Sequence, residues 1–177
     1  MRKAILAALV VLGLVMGICL SGLAGASTTC TKQVIPLVNV QSGGSLSIEG
    51  GTSGTDNNLV NLGDVAPGSP TVKKLTLGVN ANDVWTLKVS KTRDLKDDNT
   101  NQTIPSSNFT YTSDGPAGPT YVTSDTEFGS NGSPSNVASS NSAAGGCVDV
   151  FYKLVVPAGQ TKGYYTAPYH TYTLIVG

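Results

Sequence analysis

The residues of this chain whose types could do chemistry are few and far apart. Downstream of residues 1–26 there are two cysteines, Cys30 and Cys147, and the only histidine is His170. A thiol beside an imidazole forms a nucleophile–base pair, so Cys147 with His170 is one candidate. An even pair of cysteines in an oxidising compartment is more simply a disulfide. We therefore predict a Cys30–Cys147 disulfide, and the sequence leaves open whether it lies within one molecule or joins two.

A second candidate site is the polar segment 91–103, which carries Asp94, Asp97 and Asp98. Carboxylate oxygens clustered on a loop are the ligands that Ca²⁺ prefers. The spacing does not match an EF-hand, and segments of this composition are more often solvated loops. We predict no metal site, with these three aspartates as the candidate ligands if a metal binds, and we predict no cofactor.

Four tyrosines near the C-terminal end, Tyr164, Tyr165, Tyr169 and Tyr172, could offer ring faces to a sugar. Aromatic residues on β-strands more often pack in the core or against a neighbouring strand. The chain has no G-x-S-x-G motif, no phosphate-binding loop and no pair of carboxylates in an apolar setting. The sequence therefore predicts a protein that is not an enzyme, with glycan binding as an alternative to a purely structural role.

The elements that must position these residues have the pattern of β-strands. Apolar residues alternate with polar ones in 148–156, where Asp149 and Lys153 face away from the apolar set, and again in 163–176. A period of two is typical of strands with one buried face. The turn at 157–159 predicts that the two strands form a hairpin at the centre of an antiparallel sheet.

A second pair of alternating segments, 72–79 and 84–90, is joined by turn-forming residues and predicts a second hairpin. The only tryptophan, Trp85, lies in it and is the largest candidate for the core. The predicted core residues are Trp85, Leu87, Val89, Val150, Tyr152, Leu154 and Leu174.

The segment 129–146 is nearly all Ser, Asn, Gly and Ala. That composition buries little apolar area, so we predict a long mobile loop there. About eight strand segments separated by turns predict an all-β fold. The expected architecture is a two-sheet antiparallel sandwich, Ig-like or jelly-roll-like, over residues 42–177.

Residues 1–26 have the composition of a secretory signal peptide. Arg2 and Lys3 precede an uncharged apolar run that ends at Ala24-Gly25-Ala26, and cleavage there makes Ser27 the first mature residue. The alternative is a retained anchor, since a run of this length can span about 30 Å of hydrocarbon. We expect cleavage, hence an extracellular or cell-surface protein, and a membrane location only if the segment is retained.

The charge of the mature chain limits its partners. Without Arg2 and Lys3, nine of the eleven basic residues remain against eleven acidic ones, a net charge near −2. Such a chain has no basic surface, so we expect neither nucleic acid nor an anionic membrane as an electrostatic partner. Few charged residues beside many Ser, Thr, Asn and Gly are typical of an extracellular β-sandwich.

The N-terminal segment 27–41 is the predicted interaction element. Apolar side chains lie on both faces of this strand: Val34, Val38 and Val40 on one, Ile35 and Leu37 on the other. Pro36 cannot donate to a ladder, which places the strand at an edge. An apolar edge invites pairing with another chain, so we expect a donor strand that completes a neighbour's sheet. The alternative is that it packs as the first strand of its own sandwich.

The sequence Trp85-Thr86-Leu87-Lys88-Val89 resembles the first signature of the WxL domain of Gram-positive surface proteins. In that family, a strand that ends in a proline turn precedes a glycine-tyrosine strand near the C-terminus, which is similar to 148–176 here. The family's second W-x-L reads Tyr172-Thr173-Leu174 in this chain. The family attaches non-covalently to the cell wall, so the resemblance implies a surface module that binds cell-wall polymer or carbohydrate.

The order of signal peptide, apolar N-terminal strand and sandwich also resembles secreted fibre-forming β-sandwiches. In the biofilm fibre subunits of this kind, the N-terminal strand completes the sheet of the next subunit. The resemblance implies a homopolymer. We predict a secreted, non-enzymatic structural subunit of an extracellular filament or surface assembly, with the monomeric wall- or carbohydrate-binding module as the alternative.

Overall fold

The computed structural model describes residues 28–33, 43–50, 60–167 and 169–177, with the backbone alone for 28–33. Its strands are β1 Thr28–Gln33, β2 Gly44–Gly50, β3 Pro70–Ala81, β4 Trp85–Lys91, β5 Leu95–Lys96, β6 Thr103–Ile104, β7 Phe109–Asp114, β8 Thr120–Tyr121, β9 Thr126–Glu127, β10 Gly129–Ser130, β11 Ser135–Ser140, β12 Ala144–Val155 and β13 His170–Val176. A short 3₁₀ turn covers Ser106–Asn108. In the part of the chain described, no helix is long and apolar enough to cross a membrane.

The strands form two main sheets that pack face to face. The six-stranded sheet has the order β1-β13-β4-β11-β8, with β10 added beside β4, and the five-stranded sheet has the order β2-β3-β12-β7-β9. All of these pairings are antiparallel except that of β10 with β4. The predicted all-β, two-sheet sandwich is therefore confirmed.

The core lies between the inner faces of the two sheets. On β12 the residues Val148, Val150, Tyr152 and Leu154 are buried, and the residues between them are partly exposed, as a period of two requires. On β13 the alternation is the same. The structure buries all seven of the residues expected in the core, namely Trp85, Leu87, Val89, Val150, Tyr152, Leu154 and Leu174.

Both predicted hairpins are wrong. β12 lies in the five-stranded sheet and β13 in the six-stranded one, and β3 and β4 are divided in the same way. The alternation gives the face that each strand buries, but it does not say which strand is its neighbour. Two strands that face each other across the core satisfy the pattern as well as two strands side by side. The connection from β3 to β4 therefore crosses between sheets, where the N–H of Asn82 donates to the carbonyl of Gly43 at 2.8 Å.

The predicted mobile loop 129–146 is also wrong. It supplies β10, β11 and the start of β12. β11 pairs with β4 on one side and β8 on the other, with a bulge between Asn136 and Ala138. The composition led to the wrong prediction because the hydrogen bonds of a sheet ladder are made by the backbone, and small polar side chains do not prevent them. Val137 and Ala138 are enough to cover the core here, since both are buried.

Candidate functional site

The N-terminal edge of the six-stranded sheet is the first candidate site. β1 pairs with β13 from Thr28↔Val176 to Gln33↔Thr171, so the start of the predicted donor segment lies in a sheet of its own chain. The residues expected to anchor a donated strand lie outside the described residues: Val34, Ile35, Leu37, Val38 and Val40. The sequence of β1, Thr-Thr-Cys-Thr-Lys-Gln, contains no large apolar residue. The main-chain ladder to β13 is therefore the attachment that the structure describes.

The edges of the sandwich differ in length and in how they are protected. β8 and β9 are two residues long, too short to offer a ladder to another chain. β2 is seven residues long, but its register shifts between Ile48 and Gly50, beside the exposed Glu49. A bulge and a charge both oppose pairing at an edge. β1 and the ladder of β13 beneath it are therefore the edge most suited to adding or exchanging a strand.

β2 closes the other sheet on the same side of the molecule as β13. A Cβ added to Gly44, at the start of β2, would lie 2.8 Å from Cγ2 of Val176 and 3.1 Å from the carbonyl of Asn80. Only glycine allows this approach. The chain therefore leaves β1 on one sheet and enters β2 on the facing sheet, with the undescribed residues 34–42 between them.

The two cysteines lie in different sheets. Cys147 is a free, exposed thiol on the outer face of β12, opposite Gly78 of β3. Cys30 lies in β1 of the other sheet, opposite Leu174. Facing sheets are about 10 Å apart, whereas the Cα atoms of a disulfide are about 4.4–6.8 Å apart. The fold thus separates the two positions by the thickness of the core.

Two of the three candidate metal ligands are paired with basic side chains. Asp94 accepts hydrogen bonds from Lys91 and Ser106. Burial raises the pKa of Asp94, but those two hydrogen bonds and the charge of Lys91 outweigh it, so the pKa lies below its ordinary value. Asp98 accepts two hydrogen bonds from Arg93, at 2.8 and 3.2 Å, which lower the pKa of that carboxyl.

The third aspartate, Asp97, is buried and organises the β5–β6 turn. It accepts hydrogen bonds from the N–H of Asn99 at 3.0 Å and from the hydroxyl of Thr100 at 2.8 Å. A Cβ on Gly163 would lie 2.2 Å from its Oδ2, so a neighbouring loop closes over it. Within the described residues, no group of three His, Cys, Asp or Glu side chains is placed to hold a metal.

The tyrosine loop, residues 156–167, is the second candidate site. It is fastened to β5 by two backbone hydrogen bonds between Lys96 and Thr166, at 3.0 and 2.9 Å. Within it, the hydroxyl of Tyr165 accepts from Gln160 at 2.8 Å and donates to the carbonyl of Thr161 at 2.7 Å. These bonds hold a loop whose most exposed large hydrophobic side chain is Tyr164, at 79%.

The four tyrosines considered for sugar binding do not form one surface. Tyr172 is a core residue, 1% exposed, so its inclusion was wrong. Tyr164 is largely exposed, Tyr169 is 43% exposed, and Tyr165 is partly buried. Tyr164 in the tyrosine loop and Tyr169, which lies just before β13, therefore remain as ring faces that a ligand can reach.

His170, the first residue of β13, lies in a cluster of aromatic rings. Its ring centroid is 4.2 Å from that of Phe128, 5.5 Å from Tyr152 and 5.7 Å from Phe109. The imidazole is buried, and neither of its nitrogens has a hydrogen-bond partner among the described residues. Burial, with the charge of Lys91, lowers the pKa of His170 to about 3.

The structure does not bring His170 and Cys147 together as a nucleophile–base pair. The thiol faces solvent outside the five-stranded sheet, while the imidazole is buried between the sheets. The aromatic surroundings of His170 were missed by sequence reasoning. Its neighbours Phe109, Phe128 and Tyr152 come from three distant segments, and no local pattern around His170 indicates them.

The class of protein that these features define is a two-sheet β-sandwich in which β1 ends one sheet among the described strands and an exposed tyrosine lies on a hydrogen-bonded loop. Comparisons of the chain with protein-family models, curated proteins and solved structures found no match.

Proposed function

We propose that this chain is a secreted, non-enzymatic structural subunit of an extracellular filament or surface assembly. The segment 27–41, of which β1 is the described part, leaves the sheet of its own copy and pairs with β13 of a neighbouring copy. One observation carries the proposal: β1 is the outermost strand of its sheet, and among the described strands β13 is the one it pairs with.

Exchange of β1 between copies keeps the same contacts. The six register pairs from Thr28↔Val176 to Gln33↔Thr171 form equally well in a neighbour. The free energies of the two arrangements therefore differ by the strain in the connection and by the entropy of association. A copy that donates to one neighbour and accepts from another makes a heterologous contact, which gives an open filament when the rotation does not close a ring.

A reversible staple tests the proposal. Thr31 and Thr173 are register partners, and the Cα atoms of such partners are about 4.5–5.5 Å apart, within reach of a disulfide. T31C/T173C, in a background of C30S and C147S, locks β1 to its own β13 when monomer is oxidised. We expect oxidised monomer to remain monomeric in sedimentation velocity and in electron micrographs, and reduction to restore assembly.

The matched control staples two strands that do not exchange. Val72 of β3 and Lys153 of β12 are register partners, so V72C/K153C in the same background gives a second oxidisable pair. The oxidised control should assemble like its reduced form. If the oxidised T31C/T173C monomer assembled at the rate of the reduced protein, the proposed exchange of β1 would be wrong.

The cysteines have a separate role in the proposal. A donated β1 occupies the same position in the neighbour's sheet. The donor's Cys30 is therefore again separated from the neighbour's Cys147 by the thickness of the core. We propose that Cys30–Cys147 bonds join copies that do not share a strand. Two thiols lose two protons and two electrons to an extracellular disulfide oxidant as the bond forms.

Single substitutions separate the covalent from the non-covalent contact. We expect non-reducing gels of assembled wild-type protein to show disulfide-linked multimers, and C147S and C30S should each remove them. Filament length in electron micrographs should stay unchanged, because strand exchange needs neither thiol. Shortened filaments in both variants would show instead that the bond holds strand-sharing copies together.

A second candidate function, binding of cell-wall polymer or carbohydrate, is favoured by the exposure of Tyr164 on a hydrogen-bonded loop. Aromatic faces presented on a fixed backbone bind sugars at low entropic cost. Co-sedimentation with purified peptidoglycan tests it. Y164A should lose at least half of the bound protein, while V72A, which truncates another exposed apolar side chain, should not. Equal binding by both variants would count against the tyrosine loop.

A further inference from the structure

The position of His170 links the aromatic cluster to the exchangeable edge. His170 pairs with Lys91 of β4, and the next residue, Thr171, pairs with Ser90 on one side and with Gln33 on the other. Gln33 is the last residue of β1 and directly precedes the apolar part of the donor segment. Opening of two residues at the start of β13 therefore also frees the end of β1 from which exchange proceeds.

The start of β13 is a weak point of the sheet. A buried imidazole without a hydrogen-bond partner costs free energy that a solvated one does not. Beyond His170, the N–H of Thr92 donates to the carbonyl of Tyr169 at a long 3.3 Å. Tyr169 itself is 43% exposed, so solvent already reaches the residue next to the imidazole.

We propose that His170 is an acid sensor for strand exchange: at mildly acidic pH the imidazole leaves its aromatic cluster, the start of β13 opens, and the end of β1 at Gln33 is released. The first part concerns this chain alone. The consequence for assembly rests on the proposed function.

The groups that surround His170 favour release of its imidazole once the imidazole is protonated. From β4, the ammonium of Lys91 opposes a second positive charge on His170, and Lys91 is itself bonded to the carboxylate of Asp94. From β12, β7 and the 122–129 segment the neighbours are Tyr152, Phe109 and Phe128, whose rings offer no anion. The chain has no other histidine, so no other side chain has an ordinary pKa between 5 and 7.

The size of the effect follows from linkage. In the closed state, with the imidazole of His170 inside its aromatic cluster, the imidazole stays neutral at pH 5 because its pKa in the cluster is about 3. The open state takes up a proton with the ordinary pKa of about 6.5, so the opening equilibrium increases about 25-fold from pH 7 to pH 5. The open state binds more protons than the closed one over this range, so acid favours opening.

Hydrogen exchange measured by mass spectrometry tests the opening on the full mature chain. After correction for intrinsic rates, protection of the amides in 170–173 should fall about 25-fold from pH 7 to pH 5 in the wild type. H170F, which fills the cluster with a ring that does not titrate, should show no such change, and H170Q is a second non-titrating variant. Y172F is the matched control, since it alters a buried neighbour and should keep the pH dependence.

Two results would overturn the acid sensor. One is equal loss of protection in H170F and the wild type. The other is a uniform loss over β3 and β12 as well, which would mean global unfolding.

Assembly rates at pH 5 and pH 7 are measured separately. The wild type should assemble faster at pH 5 than at pH 7, and H170F should not. Opening without assembly at any pH would refute the proposed function and leave the sensor standing.

Discussion

Tyr152 and Tyr172 place their hydroxyl oxygens 2.7 Å apart in the buried layer between the two sheets. Replacement of either residue by Phe leaves the other hydroxyl without that partner in the core, which should cost about 1–3 kcal/mol. Replacement of both should cost less than the sum, because no hydroxyl is then stranded. Urea unfolding of the three variants forms a double-mutant cycle, and additive losses would contradict the coupling.

Buried tyrosines also set the alkaline limit of stability. Burial raises the pKa of Tyr111 to about 12, and it raises the pKa values of Tyr152 and Tyr172 as well. Above pH 10 the unfolded chain loses these protons first, so it binds fewer protons than the folded one and stability falls as pH rises. Each tyrosine contributes a slope of up to about 1.4 kcal/mol per pH unit. Denaturant unfolding from pH 9 to 11.5 should show a shallower slope for Y111F, and an unchanged slope for Y164F, which alters an exposed side chain.

Among the elements, the turn from β10 to β11 depends most directly on a glycine. A Cβ on Gly129 would lie 2.3 Å from the carbonyl oxygen of Ser133 and 2.4 Å from the nitrogen of Ser135, both backbone atoms. G129A should therefore cost at least about 2 kcal/mol. G132A, in the same turn with open space around its Cα, should stay within about 0.5 kcal/mol. Equal stabilities in urea would mean that the turn adjusts its backbone freely.

The same elements show what the sequence predicts and where its information ends. The alternation on β12 and β13 predicted the buried face of each strand, because side-chain direction is a local property. It did not predict their sheets, because that depends on whether the connection turns in the plane or crosses the core. β11 was missed for the opposite reason: its ladder to β4 needs backbone groups, which every sequence has.

In the candidate site, too, local properties were predictable from the sequence and the tertiary arrangement was not. A free edge at the N-terminus was predictable, since a strand segment near a terminus with Pro36 favours an edge. The separation of Cys30 from Cys147 was not, because it depends on β1 and β12 belonging to different sheets. The isolation of His170 among rings was not either, since it requires the tertiary approach of Phe128.

At the scale of the whole molecule, the sandwich has one side closed by short strands and one side with longer edges. β8 and β9 end the two sheets with two residues each, whereas β1 and β2 have six and seven. Among the described strands, the side with β1 and β2 therefore offers the longer edges for an added strand. For the proposed assembly, that asymmetry favours growth through β1 and β13 over side-to-side stacking of the sandwiches.

The net charge expected after cleavage of residues 1–26 predicts how the proposed assembly responds to salt. Nine basic and eleven acidic residues give each copy a charge near −2, and two such copies about 30 Å apart repel by only about 0.5 kcal/mol in water. Assembly driven by main-chain pairing should therefore change less than about threefold in rate between 50 and 500 mM NaCl. K73E/K162E brings the charge near −6 and raises the repulsion about ninefold, so its assembly should be slow at low salt and recover at high salt. A wild-type rate that falls tenfold with salt would mean that charge pairs, not an exchanged strand, hold the copies together.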